Sequence, residues 1–151
     1  MIELHVDGVL VAAEEGELLV HVLERAGKPV PTLCHDDKLE PYGGCRVCLV
    51  GLGNGRPVPA CATRAAEGME VTTEVAFRQT IVDMLATEHR EAEGGRPDAL
   101  LELGGEPPFA FPRRDPYCDG NAFLGFDPAA CILCTRCVRY EIGRASCRER
   151  V

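Results

Sequence analysis

The spacing of four cysteines, C-x10-C-x2-C-x12-C, constrains the fold of this chain more than any other feature. These residues are Cys34, Cys45, Cys48 and Cys61. Four thiolates at this spacing suit a [2Fe–2S] cluster, in which each iron takes two protein sulfurs. We therefore expect a fold that brings a tight loop together with two distant cysteines, in a chain that moves single electrons.

The loop "PYGGCRVC", residues 41–48, has the composition that such a site requires. Two thiolates three residues apart can bind one iron only if the backbone curls around it, and Gly43 and Gly44 permit that curl. Backbone N–H groups can then approach the sulfurs and stabilise the reduced cluster. The alternative is a four-cysteine zinc site, but zinc usually takes two close pairs of cysteines. Here only one pair is close in sequence.

Composition limits the class of protein. The 151 residues include nine cysteines and carry a net charge of −8, which argues against a nucleic-acid partner. The N-terminus has no basic stretch followed by a long apolar run, so we expect no signal peptide. No stretch approaches the roughly 20 apolar residues of a transmembrane segment. We therefore expect metal-bound thiolates rather than disulfides, in a cytoplasmic protein or one on the cytoplasmic face of a membrane complex.

Residues 1–75 have the pattern of an α+β domain. Alternating apolar residues on both sides of Asp7-Gly8 predict a hairpin. Residues 17–26 predict a helix that buries Leu18, Val22 and Leu23 and ends at Gly27. Further strands are predicted at 46–52, 56–63 and 69–73. This order fits a β-grasp [2Fe–2S] ferredoxin domain, a small sheet packed on one helix.

Residues 76–125 are predicted to form a helix and a linker. The helix covers 76–89, with an apolar stripe of Phe77, Ile81, Met84 and Leu85. The remainder is rich in glycine and proline and contains one short helical stretch at 97–103.

A second cysteine motif, "CILCTRC", lies in residues 126–140. Its residues Cys131, Cys134 and Cys137 predict the start of a [4Fe–4S] segment, because three thiolates of one tight turn can hold three corners of a cubane. A fourth ligand is missing, since a C-x3-C continuation would place it at Glu141. A zinc or vestigial site is the alternative, and Cys118 is expected to be a free thiol.

The motifs "PTLCHD", "GGCRVCLV" and "PACATR" resemble a known ferredoxin domain. This is the N-terminal [2Fe–2S] domain of the large iron–sulfur subunit of NADH:quinone oxidoreductase and of formate dehydrogenase alpha subunits, which also occurs in hydrogenases. The resemblance covers about residues 1–90, and "FDPAACILCTRCVRY" is similar to a later segment of the same families. In that family a histidine after the domain joins three cysteines at another cluster. His89 has that position, but no cysteine follows before Cys118, so we expect that cluster to be absent.

The resemblance implies an electron-transfer fragment of a multi-cluster oxidoreductase, with a [2Fe–2S] cluster, a [4Fe–4S] cluster in the full-length protein and no catalytic residue. The parent favoured here is a molybdopterin-dependent formate dehydrogenase-like alpha subunit. The alternatives are the large iron–sulfur subunit of NADH:quinone oxidoreductase and a stand-alone ferredoxin-like binding module. The expected partners are other subunits of the complex, including a flavin subunit that handles NAD.

The last segment, residues 141–151, does not resemble the family. Its sequence "EIGRASCRERV" looks like the translation of a sequencing-adaptor read-through. We therefore expect a non-native tail after Tyr140, which excludes Cys147 as a ligand. A genuine polar tail is the alternative.

Overall fold

The computed structural model describes residues 1–88, 102–104 and 132–142. The chain divides into two compact units, one made of Met1–Ala76 with the segment from Cys134 onward and the other of Phe77–Leu133. The first unit contains a five-stranded mixed sheet and confirms the predicted α+β fold. Its strands are Ile2–Val6 (β1), Val9–Ala13 (β2), Leu49–Leu52 (β3), Pro57–Pro59 (β4) and Glu70–Thr72 (β5). The helices are Leu19–Arg25 (α1), Arg78–Glu88 (α2) and Arg136–Ile142 (α3), and Ala60–Ala62 form a 3₁₀ turn.

The predicted N-terminal hairpin is confirmed. Strands β1 and β2 are antiparallel, with Val6 opposite Val9, so that Asp7 and Gly8 form a two-residue turn. Both turn residues have positive φ, 50° at Asp7 and 79° at Gly8, as a type I′ turn requires.

The sheet has the strand order β2-β1-β5-β3-β4. Strand β5 is parallel to β1 and antiparallel to β3, so the last strand lies in the middle of the sheet. Residues of β1 alternate between buried and exposed, which directs Ile2, Leu4 and Val6 into the core. The buried residues of α1 belong to the same core cluster, so this helix covers the apolar face of the sheet.

Helix α1 is shorter than predicted at its N-terminal end. Leu18 has an extended conformation and pairs with Arg64 in a β-bridge, so the buried face begins at Leu19. The predicted C-terminal glycine is confirmed. Gly27 has φ +71°, its N–H donates to Glu24 O, and the N–H of Lys28 donates to Leu23 O. These two bonds form a Schellman motif, which satisfies carbonyls at the helix end.

Two predicted strands were too long. Strand β3 begins only at Leu49, because Arg46 has φ +61° and interrupts the extended backbone. Strand β4 ends at Pro59, and the chain then turns so that the Ala60 N–H donates to Cys48 O at 2.9 Å. Pro57 and Pro59 have no N–H to donate to a longer ladder. Cys61 therefore lies in the 3₁₀ turn and not in a strand.

The prediction that the apolar stripe forms the buried face of α2 was wrong. Phe77 and Met84 are exposed, whereas Val82, Ala86 and Thr87 are buried. The hydroxyl of Thr87 donates to Asp83 O at 2.8 Å, which satisfies this polar group inside the helix. The buried face is thus formed by small and β-branched side chains, which the spacing of the larger apolar residues did not indicate.

Several predictions concern residues outside the described ranges. His89, Cys118, Cys131, Cys147 and most of the 97–103 stretch are among them. Glu141 is described only by its backbone, in α3. In the parts of the chain that are described, no helix has the length and apolarity to cross a membrane.

Candidate metal centre

The structure brings the four cysteines of the first motif to one end of the core. We refer to Cys34, Cys45, Cys48 and Cys61 as the thiol quartet. Cys34 precedes the loop, Cys45 lies within it, Cys48 precedes β3 and Cys61 is in the 3₁₀ turn. Three of these residues are 1 % exposed, and Cys45 is half-buried. All four have free thiols.

The quartet is organised as two pairs. Burial, and then contact with Cys34, raise the pKa of the Cys45 thiol to about 11. A hydrogen bond from Cys61 lowers the pKa of Cys48 to about 6, and the same contact raises the pKa of Cys61. Cys61 also interacts electrostatically with Cys34 and Cys45, so the two pairs are neighbours.

This pairing differs from the sequence interpretation. The C-x2-C spacing suggested that Cys45 and Cys48 bind one iron, but the structure joins Cys45 to Cys34 and Cys48 to Cys61. The physical reason is the curl of the loop. Arg46, between the two close cysteines, has φ +61°, so the backbone turns there, and each cysteine meets a partner that is farther away in sequence.

The separation of the pairs distinguishes two kinds of metal site. Four sulfurs around one zinc ion, each about 2.3 Å from it, lie about 3.8 Å from one another. Among the described residues, no three cysteines form a group that could hold a single metal ion. Two adjacent pairs instead offer two sulfurs to each of two metal ions, which is the donor set of a [2Fe–2S] cluster.

The loop glycines are close to neighbouring side chains. Gly43 has φ +62°, and a Cβ there would lie 3.0 Å from Pro59 Cγ. A Cβ at Gly44 would lie 2.0 Å from Tyr42 Cε1, so the exposed ring of Tyr42 would have to move to admit a side chain there. Backbone amides interact with the cysteine sulfurs as expected, but they belong to residues other than the two loop glycines. Backbone groups of Cys34 and Val47 stabilise the Cys45 thiolate, and that of Cys61 stabilises Cys48.

Two arginines of α3, which are not among the predicted site residues, contact the loop. Arg139 Nη2 donates to Cys34 O at 2.6 Å, and Nη1 donates to Glu40 O at 2.9 Å. Its guanidinium also lies 5.4 Å from the centroid of the Tyr42 ring. Arg136 Nη2 donates to His35 O at 2.6 Å. The one sequence signal was the interleaving of arginines and cysteines in "CTRCVRY".

The second cysteine motif is described in part. Cys134 is half-buried and precedes α3, whereas Cys137 is exposed on the helix. Arg139 Nη2 lies 3.5 Å from Cys134 O, so one guanidinium contacts carbonyl groups in both cysteine motifs.

A comparison with known protein families agrees with this geometry. Residues 1–76 match the family described as the 2Fe-2S iron-sulfur cluster binding domain. The chain belongs to this family. The resemblance found in the cysteine motifs is thereby confirmed, and the first unit is a domain of the [2Fe–2S] type.

Similar proteins are subunits of larger oxidoreductases. A G-type subunit of the NADH-quinone oxidoreductase of Rhizobium meliloti is 33% identical over 156 residues, covering 92% of this chain and 18% of that protein. The alpha subunit of the NADPH-Fe(3+) oxidoreductase of Geobacter sulfurreducens is 31% identical over 157 residues, covering 93% and 18%. The chain therefore spans about a fifth of the length of these curated relatives.

A solved structure has the same fold. It is an NAD+-reducing [NiFe]-hydrogenase in the H2-reduced state, with a TM-score of 0.79 and 26% identity. The match covers 95% of this chain and 67% of that one. Together with the relatives and the family, it identifies the chain as an iron–sulfur electron-transfer module of the kind found in the G-type subunits of NADH-quinone oxidoreductase.

Proposed function

We propose that the thiol quartet binds the [2Fe–2S] cluster, with Cys34 and Cys45 on one iron and Cys48 and Cys61 on the other. The observation that carries this proposal is the division of the four sulfurs into two adjacent pairs. When bound, such a cluster accepts and releases one electron. The chain supplies a shell of low polarity, backbone amides that face the sulfurs, and the positive charges of Arg136 and Arg139.

The proposed parent is a G-type subunit of an NADH-quinone oxidoreductase. The names of the relatives support it better than formate dehydrogenase, the parent favoured from the sequence. The proposed partners are the other subunits of such a complex, including one that handles NAD with a flavin. A [4Fe–4S] cluster held partly by Cys131, Cys134 and Cys137 belongs to the same proposal. So does a cytoplasmic location, or one on the cytoplasmic face of a membrane complex.

The quartet assignment is tested on the full chain after anaerobic cluster assembly. We expect about two irons and two acid-labile sulfides per quartet, a visible absorption band and an EPR signal after reduction with dithionite. A colourless protein that binds zinc and gives no EPR signal after reduction would refute the iron assignment and favour a structural zinc domain.

The choice of parent needs the assembled complex. The complex would be purified from its source through a tag on this subunit and mixed with NADH or with formate. Reduction of the [2Fe–2S] cluster by NADH alone, seen as the appearance of its EPR signal, is the expected result. Reduction by formate alone would favour formate dehydrogenase, and isolation of the chain without other subunits would favour a stand-alone ferredoxin.

A further inference from the structure

A second group of metal-ligating side chains lies outside the thiol quartet. His21 on α1, with His35 and Asp37 in the loop, form a trio whose donor atoms all lie within 4.8 Å of one another. His21 Nε2 is 2.9 Å and His35 Nε2 is 3.0 Å from the same carboxylate oxygen, Asp37 Oδ1. Neither histidine is among the site residues predicted from the sequence.

These distances suit ligands of one metal ion. Two donor atoms that are each about 2.1 Å from an ion and form a right angle there are about 3.0 Å apart. Two imidazoles and one carboxylate are a common donor set for divalent transition metals, in which the remaining positions hold water. The side chain of Asp37 is 75% exposed, which leaves the outer side of such an ion open to solvent.

One buried atom of the trio lacks a partner. His35 Nε2 has no hydrogen bond with any described residue, although Asp37 Oδ1 is only 3.0 Å away. An ion bound to both atoms would occupy this buried nitrogen and would explain its short distance to the carboxylate oxygen.

The surroundings of the trio provide space for an ion and its water ligands. His21, His35 and Asp37 line a hollow of about 160 Å³ together with Glu24, and they also line a larger hollow of about 710 Å³ that contains Lys38, Arg64 and Arg139. We infer that His21, His35 and Asp37 form a binding site for a borderline divalent transition-metal ion, separate from the cluster and additional to the proposed electron transfer.

The test uses the untagged full chain with its cluster assembled. Thiols outside the cluster would first be alkylated with N-ethylmaleimide, because free cysteines also bind such ions. Binding of Ni²⁺ would then be measured by calorimetry. We expect one ion per chain, and at least tenfold weaker binding after His21→Gln or Asp37→Asn. His5→Gln is the matched control, since His5 is exposed on β1 and lies outside the trio.

The outcomes separate this site from the electron-transfer proposal. Equal Ni²⁺ affinity in the wild type and in both trio variants would overturn the metal site, as would the same loss of affinity in His5→Gln. The visible spectrum of each variant shows whether the cluster and fold are retained. If His21→Gln loses the cluster, the exposed position of Asp37 makes Asp37→Asn the deciding variant. Absence of a cluster in the wild type would count against the proposed function instead.

Discussion

Arg139 donates a hydrogen bond from Nη2 to the carbonyl oxygen of Cys34 at 2.6 Å, across 105 residues of sequence. Arg136 makes an equivalent bond to the next carbonyl, that of His35. Helix α3 therefore fixes the backbone beside one thiol of the quartet and brings two positive charges to it. The contact also joins the thiol quartet to the segment that contains the second cysteine motif.

Replacing Arg139 should change the reduction potential of the cluster. Arg139→Met removes a positive charge near the site, so the reduced and more negative state is less stabilised and the potential should fall. A tenfold change in the one-electron equilibrium corresponds to about 59 mV, and we expect a shift of tens of millivolts. The measurement is a redox titration followed by EPR. Arg139→Lys keeps the charge and should shift the potential less; a larger shift with lysine would contradict the electrostatic explanation.

The two cysteine motifs should respond differently to serine substitution. Cys48→Ser removes a buried member of the quartet and should abolish the [2Fe–2S] signal or weaken it strongly. Cys137→Ser, which changes an exposed cysteine on α3, should leave that signal unchanged. Iron content, visible circular dichroism and EPR give the comparison. Unchanged spectra in Cys48→Ser would show that the quartet is not the ligand set.

The close approach at Gly43 should make this position intolerant of a side chain. Gly43→Ala forces a non-glycine residue to adopt φ +62° and places its Cβ 3.0 Å from Pro59 Cγ. Gly55→Ala is the matched control, because Gly55 has φ +76° but no atom within 4 Å of the added Cβ. Both variants should lose about 1 kcal/mol of folding stability from backbone strain. Only Gly43→Ala should also lower cluster occupancy, measured as iron per chain, and equal occupancy in the two variants would argue against a packing constraint.

The turn between β1 and β2 should contribute stability that depends on pH. The Thr73 N–H and hydroxyl donate to the Asp7 carboxylate at 2.8 and 2.7 Å, and Lys28 lies 4.0 Å away. The Thr73 amide in particular holds the pKa of Asp7 below its ordinary value. The stabilisation is therefore complete well above the unfolded pKa of about 3.9, and it is lost as the pH falls through the lower folded pKa.

Asp7→Asn isolates this contribution, because Asn-Gly also favours a type I′ turn. At pH 7 the variant should be less stable by about 1 kcal/mol, and the difference should shrink toward pH 3. Denaturant unfolding at several pH values measures it. Glu15→Gln, which changes an exposed carboxylate, serves as the control. A constant difference between Asp7→Asn and the wild type at all pH values would rule out the charged hydrogen bonds as its source.

The sequence by itself determined the features that depend on neighbouring residues. Asp7-Gly8 specified the hairpin and Gly27 the end of α1, because each turn requires a backbone conformation that few residues adopt. Cysteine spacing was also sufficient to indicate the kind of metal centre. The adaptor-like tail, the domain boundaries and the identity of the ligands stay predictions.

Only the tertiary structure decided which distant groups meet. It paired Cys45 with Cys34 rather than with Cys48, placed Cys61 in a 3₁₀ turn and turned a different face of α2 inward. It also brought Arg139 to Cys34 and joined His21 and His35 through Asp37. Spacing along the chain limits how far two residues can be from each other, but the path of the backbone between them sets their contact. That path depends on the packing of the whole core.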